Sequence, residues 1–326
     1  MPALTSRVTL RPNTAFKDHE NDSDDENILT ASSPHDEEPE DLLFSSLATI
    51  FPDDAPNLHG DSHSSIIYTS PHLPHPLRLQ LADPSQDEDR KLFSHYLWNA
   101  GLLLAELMEG AAVDDEVNER ERLFDVRGLK TLEMGSGTGL TSIMAGLVGA
   151  KEVVATDYPS ETVLEPLRAN VARNLKSSRS LPEATIPSST QVHGHAWGDF
   201  TPDPTTSFPI THRHSLDRVL LADCLWMPWQ HEPLLRSVAY FLSLSPTARC
   251  LCIGACHTGR EIVARFFEEE RLKEMGLEVE EVWERDVEGK EREWDIGREE
   301  EDPGMRKRWC VVAVLRRVEG WTGDDD

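Results

Sequence analysis

The stretch Lys130-Thr131-Leu132-Glu133-Met134-Gly135-Ser136-Gly137-Thr138-Gly139-Leu140, followed by a second apolar run that ends at Asp157, constrains the fold more than any other part of the chain. It predicts a strand, a glycine turn and a helix, then a second strand closed by an acid. Glycines at alternate positions let a backbone turn sharply and lie against a ligand where a Cβ would intervene. An acid at the end of the second strand suits a ribose diol. The spacing is G-x-G-x-G, and Leu140 stands where a nicotinamide-dinucleotide fingerprint has its third glycine. No Lys-Ser or Lys-Thr pair follows the glycines, so the loop also lacks the groups with which a P-loop holds triphosphate and magnesium.

A chain of 326 residues can bury one full-sized core of about 200 to 250 residues, with the remainder as tails and loops. The expected division is an acidic, mostly disordered tail over 1–61, a hairpin and helix extension over 62–128, a core over 129–317 and an acidic C-terminal tail over 318–326. The net charge is −27, and the excess acid concentrates in residues 1–60 and 261–304. Such a balance argues against nucleic acid or an anionic membrane as a partner, because both require a basic surface. It is compatible with a basic protein substrate, and equally with solvated faces that only confer solubility. No apolar run approaches the length of a bilayer span, and the N-terminus lacks the basic-then-apolar layout of a secretory signal, so a soluble, cytoplasmic protein is expected. The five cysteines, three of them at Cys250, Cys252 and Cys256, read as small core hydrophobes rather than disulfides or zinc ligands. The pairs His193/His195 and His212/His214 lack the carboxylate or cysteine spacing that would complete a metal site.

Along the chain, Ile66-Ile67-Tyr68 and Leu77 to Leu81 predict a hairpin across a proline-rich connection. Ser85 to Glu88 has capping-box spacing, and apolar residues from Leu92 to Leu107 follow on one stripe, predicting a long amphipathic helix over 86–110. Five apolar strands (129–134, 152–156, 191–195, 218–222 and 249–254) then alternate with helical stretches, in the order that a doubly wound sheet requires. Pro166 suggests that the helix after Asp157 starts near it. Residues 261–274 read as a charged helix, and 277–283 with 309–315 as two final strands. Paired antiparallel, these would complete a seven-stranded, mostly parallel α/β sheet whose last strand inserts beside the fifth. The Ser-, Thr- and Pro-rich stretches 176–190 and 201–215 read as surface insertions. The ligand crevice is expected at the carboxyl ends of the parallel strands.

Five stretches in sequence order are similar to lysine methyltransferase family 16, a group of class I S-adenosylmethionine-dependent methyltransferases with a Rossmann-like fold. They are Tyr96 to Gly101, the glycine loop, Ala155 to Pro159, Gly194 to Gly198 and Leu220 to Trp226, and the likeness covers roughly residues 62–317. Fungal members include enzymes acting on the N-terminus and lysines of translation elongation factor 1A, and proteins labelled nicotinamide N-methyltransferase-like. The resemblance implies S-adenosyl-L-methionine as cofactor. It places Trp98 against the cofactor, Gly135, Ser136 and Gly137 around its aminoacyl portion, Asp157 on the ribose hydroxyls, Trp197 near the adenine and Ala222 in the same pocket, with Glu133 behind them.

Asp223 and Trp226 are the expected catalytic pair: Asp223 to orient or deprotonate the attacking amine, Trp226 to wall the acceptor pocket. Family lysine methyltransferases often show Asp-x-x-Tyr here, whereas this chain has Asp223-Cys224-Leu225-Trp226, which keeps the aromatic wall without the phenol hydroxyl. An aromatic wall can hold an ammonium or stack on a flat heterocycle. The expectation is therefore an N-methyltransferase acting on a lysine or N-terminal amine of a protein. A small nicotinamide-like acceptor and a non-catalytic cofactor-binding scaffold are the alternatives. Asp223 read only as a strand-end cap, Asp157 read as a helix N-cap and the tryptophans read as core filling are the competing structural readings. Trp283, Trp294 and Trp309 keep the core reading, and His257 is a loop residue near the crevice.

Overall fold

Residues 3–12, 58–60, 64–82, 96–256, 259–298 and 306–322 are described by a computed structural model of the chain. Its N-terminal part contains strands β1 (Val8–Pro12), β2 (Leu58–His59), β3 (Ser64–Tyr68), β4 (Leu77–Gln80) and β5 (Leu97–Trp98), then helices α1 (Asn99–Val113) and α2 (Glu119–Arg122). The core follows as β6 (Lys130–Met134), α3 (Leu140–Leu147), β7 (Glu152–Asp157), α4 (Glu161–Asn174), β8 (Ser189–Gly194), β9 (Arg218–Ala222), α5 (His231–Phe241) and β10 (Arg249–Ala255). Helices α6 (Arg260–Ala264) and α7 (Glu269–Glu274) precede β11 (Leu277–Asp286), β12 (Glu291–Glu293) and β13 (Trp309–Arg317).

The central sheet has the order β12-β11-β13-β10-β9-β6-β7-β8. Strands β8, β7, β6, β9 and β10 are mutually parallel, while β13 inserts antiparallel between β10 and β11. This is the doubly wound α/β sheet expected from the alternation of apolar runs, with the last strand beside the fifth. The short β12 adds an eighth strand to the expected seven, paired with the end of β11.

Both faces of the sheet are covered, so its strands are apolar on both sides. Along β9, Leu220 faces the core layer built with α1, α3 and α4, whereas Val219 and Leu221 face the layer built with α5 to α7. The five cysteines are free and buried, as core residues. Among the described residues no helix is long and apolar enough to cross a membrane.

Several local expectations are corrected by tertiary packing. The expected helix over 86–110 does not run through Leu97–Trp98, which is extended and pairs with Leu58–His59; residues 83–95, with the capping box, lie outside the described residues. The helix that does form, α1, is buried almost all round instead of on one stripe, because α3 and the segment 4–7 pack on it as well as the central sheet. The N-terminal residues are accordingly not all tail: β1 pairs with β3 to make the hairpin β3–β4 three-stranded, and Leu4 and Arg7 are buried. Helix α4 begins five residues before Pro166, since burial of Val163 and Leu164 outweighs one missing amide donor. The stretch 260–274 is broken into α6, a 3-10 turn and α7 instead of one helix. Residues 201–215 are not merely a polar insertion, because Phe208 and His212 are buried and Phe208 stacks on His193 with ring centroids 4.5 Å apart.

Candidate active site

The order of the sheet reverses at β6, whose neighbours β7 and β9 are reached by crossovers in opposite directions, and a crevice opens there beyond the carboxyl ends. A cavity of about 210 Å³ occupies that place. All ten residues singled out in the sequence line it: Trp98, Glu133, Gly135, Ser136, Gly137, Asp157, Trp197, Ala222, Asp223 and Trp226.

Each is delivered by a simple local device. Gly135 leaves β6 with φ 69°, a conformation costly for a residue with a Cβ. A Cβ there would also lie 3.0 Å from Cys224 Sγ and 3.3 Å from a ring carbon of Trp197, so the loop can lie against that wall only as glycine. The loop then enters α3 through Gly139, which bonds back to the Ser136 carbonyl at 2.7 Å.

Asp157 closes β7 and grips the loop from one side. Its Oδ2 accepts from the Gly137 amide at 2.6 Å and its Oδ1 from the Tyr158 amide at 2.7 Å. A carboxylate has about four lone-pair sites, so two remain for the hydroxyls of a diol. Burial raises its pKa, and the two amides pull in the opposite direction. The carboxylate does not cap α4, whose N-cap is Ser160.

Glu133 lies beneath the loop. Its Oε2 accepts from the Ser142 amide at 2.9 Å and from the Ser142 hydroxyl at 2.5 Å, tying the first turn of α3 to β6. Burial pushes its pKa up to about 7, against the stabilising hydrogen bonds from Ser142.

On the other side of β6, Asp223 follows β9 with φ 60° and is buried. Its amide donates to the Ile253 carbonyl at 2.8 Å, and its Oδ1 accepts from the Ala255 amide at 3.0 Å. The carboxylate thus secures the end of β10. Cys224 also lines the cavity and donates its thiol to the Met134 carbonyl at 3.2 Å.

Aromatic side chains form the walls. Trp98, at the end of β5, meets Tyr96 edge to face with centroids 6.3 Å apart. Trp226 meets Trp229 in the same way at 6.4 Å, and Trp229 is 69% exposed. Residues not singled out beforehand also line the cavity, notably Tyr96, Thr138, Tyr158, His195, Met227 and Gln230. Tyr96, Tyr158 and His195 could have been found as neighbours of Trp98, Asp157 and Trp197; Gln230 carries no local signal. His195 bonds through Nε2 to the Ser237 hydroxyl at 2.9 Å, and burial lowers its pKa to about 4, so it is a neutral ring. His257 lies outside the described residues. Among the described residues no cluster of His, Cys, Asp or Glu could hold a metal.

The charge of the lining is one-sided. Among the described residues it contains three carboxyl groups, Glu133, Asp157 and Asp223, and no lysine or arginine. Such a cavity repels phosphate and favours a cation that also carries hydroxyl groups.

Comparison with known proteins agrees with this geometry. A family model described as lysine methyltransferase matches residues 83–273. The chain is 28% identical to the protein N-terminal and lysine N-methyltransferase efm7 of Schizosaccharomyces pombe, over 57% of this chain and 62% of that protein. It is 27% identical to EFM7 of Gibberella zeae, over 73% of this chain and 85% of that one. With EFM7 of Yarrowia lipolytica the identity is 31%, over 59% and 68% respectively.

Proposed function

The chain belongs to the lysine methyltransferase family, and from that premise we propose that it transfers a methyl group from S-adenosylmethionine to a lysine side chain or N-terminal amine of a protein. The observation that carries the reading is the pairing of Asp157 and Asp223, one on each side of the glycine loop, in an aromatic-walled cavity whose described lining has no lysine or arginine.

The residues present fit S-adenosylmethionine. Asp157 retains acceptor capacity for the ribose diol, Gly135 brings bare backbone to the floor, and the acidic lining complements a cation. When bound, the cofactor supplies an electrophilic methyl on a sulfonium, open to in-line attack by a nitrogen lone pair. Trp98 and Trp197 flank the cofactor, and Gly135, Ser136 and Gly137 hold its aminoacyl end.

The protein's own task is to seat the acceptor nitrogen neutral and aligned. A lysine amine has an ordinary pKa of about 10.4 and an α-amine of about 7.7 to 8.0, so a proton must leave before attack. Asp223, fixed by the Ala255 amide, orients the amine and takes up that charge, while Trp226 walls the acceptor and excludes water. The names of the relatives, protein N-terminal and lysine N-methyltransferases, support a protein acceptor; a translation elongation factor as that acceptor and the cytoplasm as its compartment are our proposal.

Methyl-labelled S-adenosylmethionine incubated with the purified protein, lysate lacking it and, separately, a nicotinamide-containing metabolite pool tests the reading. Label in a discrete protein band, lost with Asp157→Ala, is the expected result. Label confined to soluble product would replace it with a small-molecule enzyme, and binding without transfer would replace it with a scaffold.

A further inference from the structure

Two asparagines on α4, one turn apart, are fully buried: Asn170 and Asn174. Both face β4, the outer strand of the N-terminal sheet, and pair with its backbone as a neighbouring strand would. Asn170 Oδ1 accepts from the Gln80 amide at 2.8 Å, and its Nδ2 donates to the Gln80 carbonyl at 2.7 Å. Asn174 repeats this with Arg78, accepting at 3.0 Å and donating at 2.7 Å. The two amides dock the three-stranded sheet onto α4 without using any residue of the central sheet.

Asn170 does one thing more. Its Nδ2 also donates to the carbonyl of Thr138, in the middle of the glycine loop, at 3.0 Å. That carbonyl is in a position that needs a donor. It lies four residues before Ser142, whose amide would close the next helical bond, but the Ser142 amide is taken by Glu133. Thr138 is buried and lines the cavity, so water is a poor substitute.

We infer that Asn170 is a positioning residue of the cofactor loop: one carboxamide fixes the Thr138 carbonyl and the backbone of β4 together, coupling the N-terminal sheet to the cavity floor. With Glu133 on the Ser142 amide and Asp157 on the Gly137 amide, it is the third side chain that sets the loop's shape, and the one that supplies a donor instead of an acceptor. A neutral amide suits this place because it serves a carbonyl and an amide at once, which a carboxylate does not.

The matched pair Asn170→Asp and Asn174→Asp separates this role from simple docking. Each keeps its volume and an acceptor and loses its donor against β4; only the first also loses the donor to the loop. In the cofactor-free protein, hydrogen exchange of the amides over residues 136–142 is expected to quicken about tenfold in Asn170→Asp and to change less than about twofold in Asn174→Asp. Equal exchange of the loop in both variants overturns the inference, because a purely structural role predicts it.

The binding arm rests on the methyltransferase reading: the Kd for S-adenosylmethionine is expected to rise about tenfold in Asn170→Asp and to stay within about twofold in Asn174→Asp. Failure of the unaltered protein to bind the cofactor would overturn that reading, and the exchange comparison would still decide the role of Asn170. If Asn170→Asp does not fold, the unaltered protein suffices. By reciprocity of coupling, adding cofactor should protect the Gln80 amide more than the Arg78 amide. Equal protection, or none, overturns the inference.

Discussion

Two groups of buried acids in this molecule are treated in opposite ways. Where the N-terminal segment, α1 and β11 meet, acids are matched by arginine. Arg7 contacts Glu106 at 2.9 Å and Glu109 at 3.4 Å, and Arg285 contacts Glu106 at 3.1 Å and Glu121 at 2.5 Å. Nearby, Glu284 is completely buried between Arg260 and Arg292. At the cavity, Glu133 and Asp157 are equally buried but are held by backbone amides and hydroxyls, with no cation in contact among the described residues. The first arrangement pairs acids with arginines, and it fastens the N-terminal segment to the core. The second leaves negative charge without a counter-charge, which burial makes costly and which a cationic ligand would relieve. On the proposed function, the contrast separates acids that only hold the fold from Asp157, which also has acceptor sites left for a ligand.

The comparison breaks first at Arg285. Replacing it by alanine leaves Glu106 to Arg7 alone and takes the 2.5 Å partner from the half-buried Glu121, and is expected to cost about 3 kcal/mol of stability, read by chemical denaturation. Affinity of the remaining folded protein for the cofactor should be unchanged; a parallel loss of affinity would mean that the two groups are one network.

Asp223→Asn keeps an acceptor for the Ala255 amide and tolerates the left-handed backbone, so it should leave the fold intact. Methyl transfer should fall about 100-fold with cofactor affinity little changed, a split measured by comparing kcat with calorimetry. Equal losses in both would make Asp223 a structural residue.

For Asp157→Ala, cofactor Kd should rise about tenfold or more with the fold kept, the relief of a buried acid offsetting the loss of its bonds to the Gly137 and Tyr158 amides. Unchanged affinity would defeat the ribose role.

The smallest effect concerns pH. Glu133 has its folded pKa raised to about 7, so its contribution to stability is present below the ordinary carboxyl value and is lost as pH rises through 7. His195 has the opposite sign: lowered to about 4, it contributes above the ordinary imidazole value of about 6.5 and loses that contribution as pH falls toward 4. Glu133→Gln should therefore gain on the unaltered, cofactor-free protein in Tm as pH rises from the ordinary carboxyl value of about 4.5 to about 7, and hold that gain above it. A pH-independent difference would show that Glu133 does not titrate there.

The amino-acid sequence by itself determined the parallel half of the sheet and the address of the site. The apolar runs and glycine spacing around Gly135 and Asp157 are local codes, because turn sterics and strand alternation act between near neighbours. Gly135, Gly137 and Asp157 sit on such codes, whereas Trp98, Glu133, Ser136, Trp197, Ala222, Asp223 and Trp226 were named from the resemblance to a known family, and their convergence was visible only in the fold. What local pattern could not supply was decided by packing. Leu97–Trp98 is extended because Leu58–His59 pairs with it; α1 is buried almost all round because α3 and residues 4–7 pack on it as well as the central sheet; Phe208 is buried because His193 offers a face to stack on. The second partners of Asn170 lie 32 and 90 residues away in the chain. Only the tertiary structure could reveal them, since a buried amide takes its hydrogen bonds from whatever the fold brings within reach, and sequence spacing carries no record of that choice.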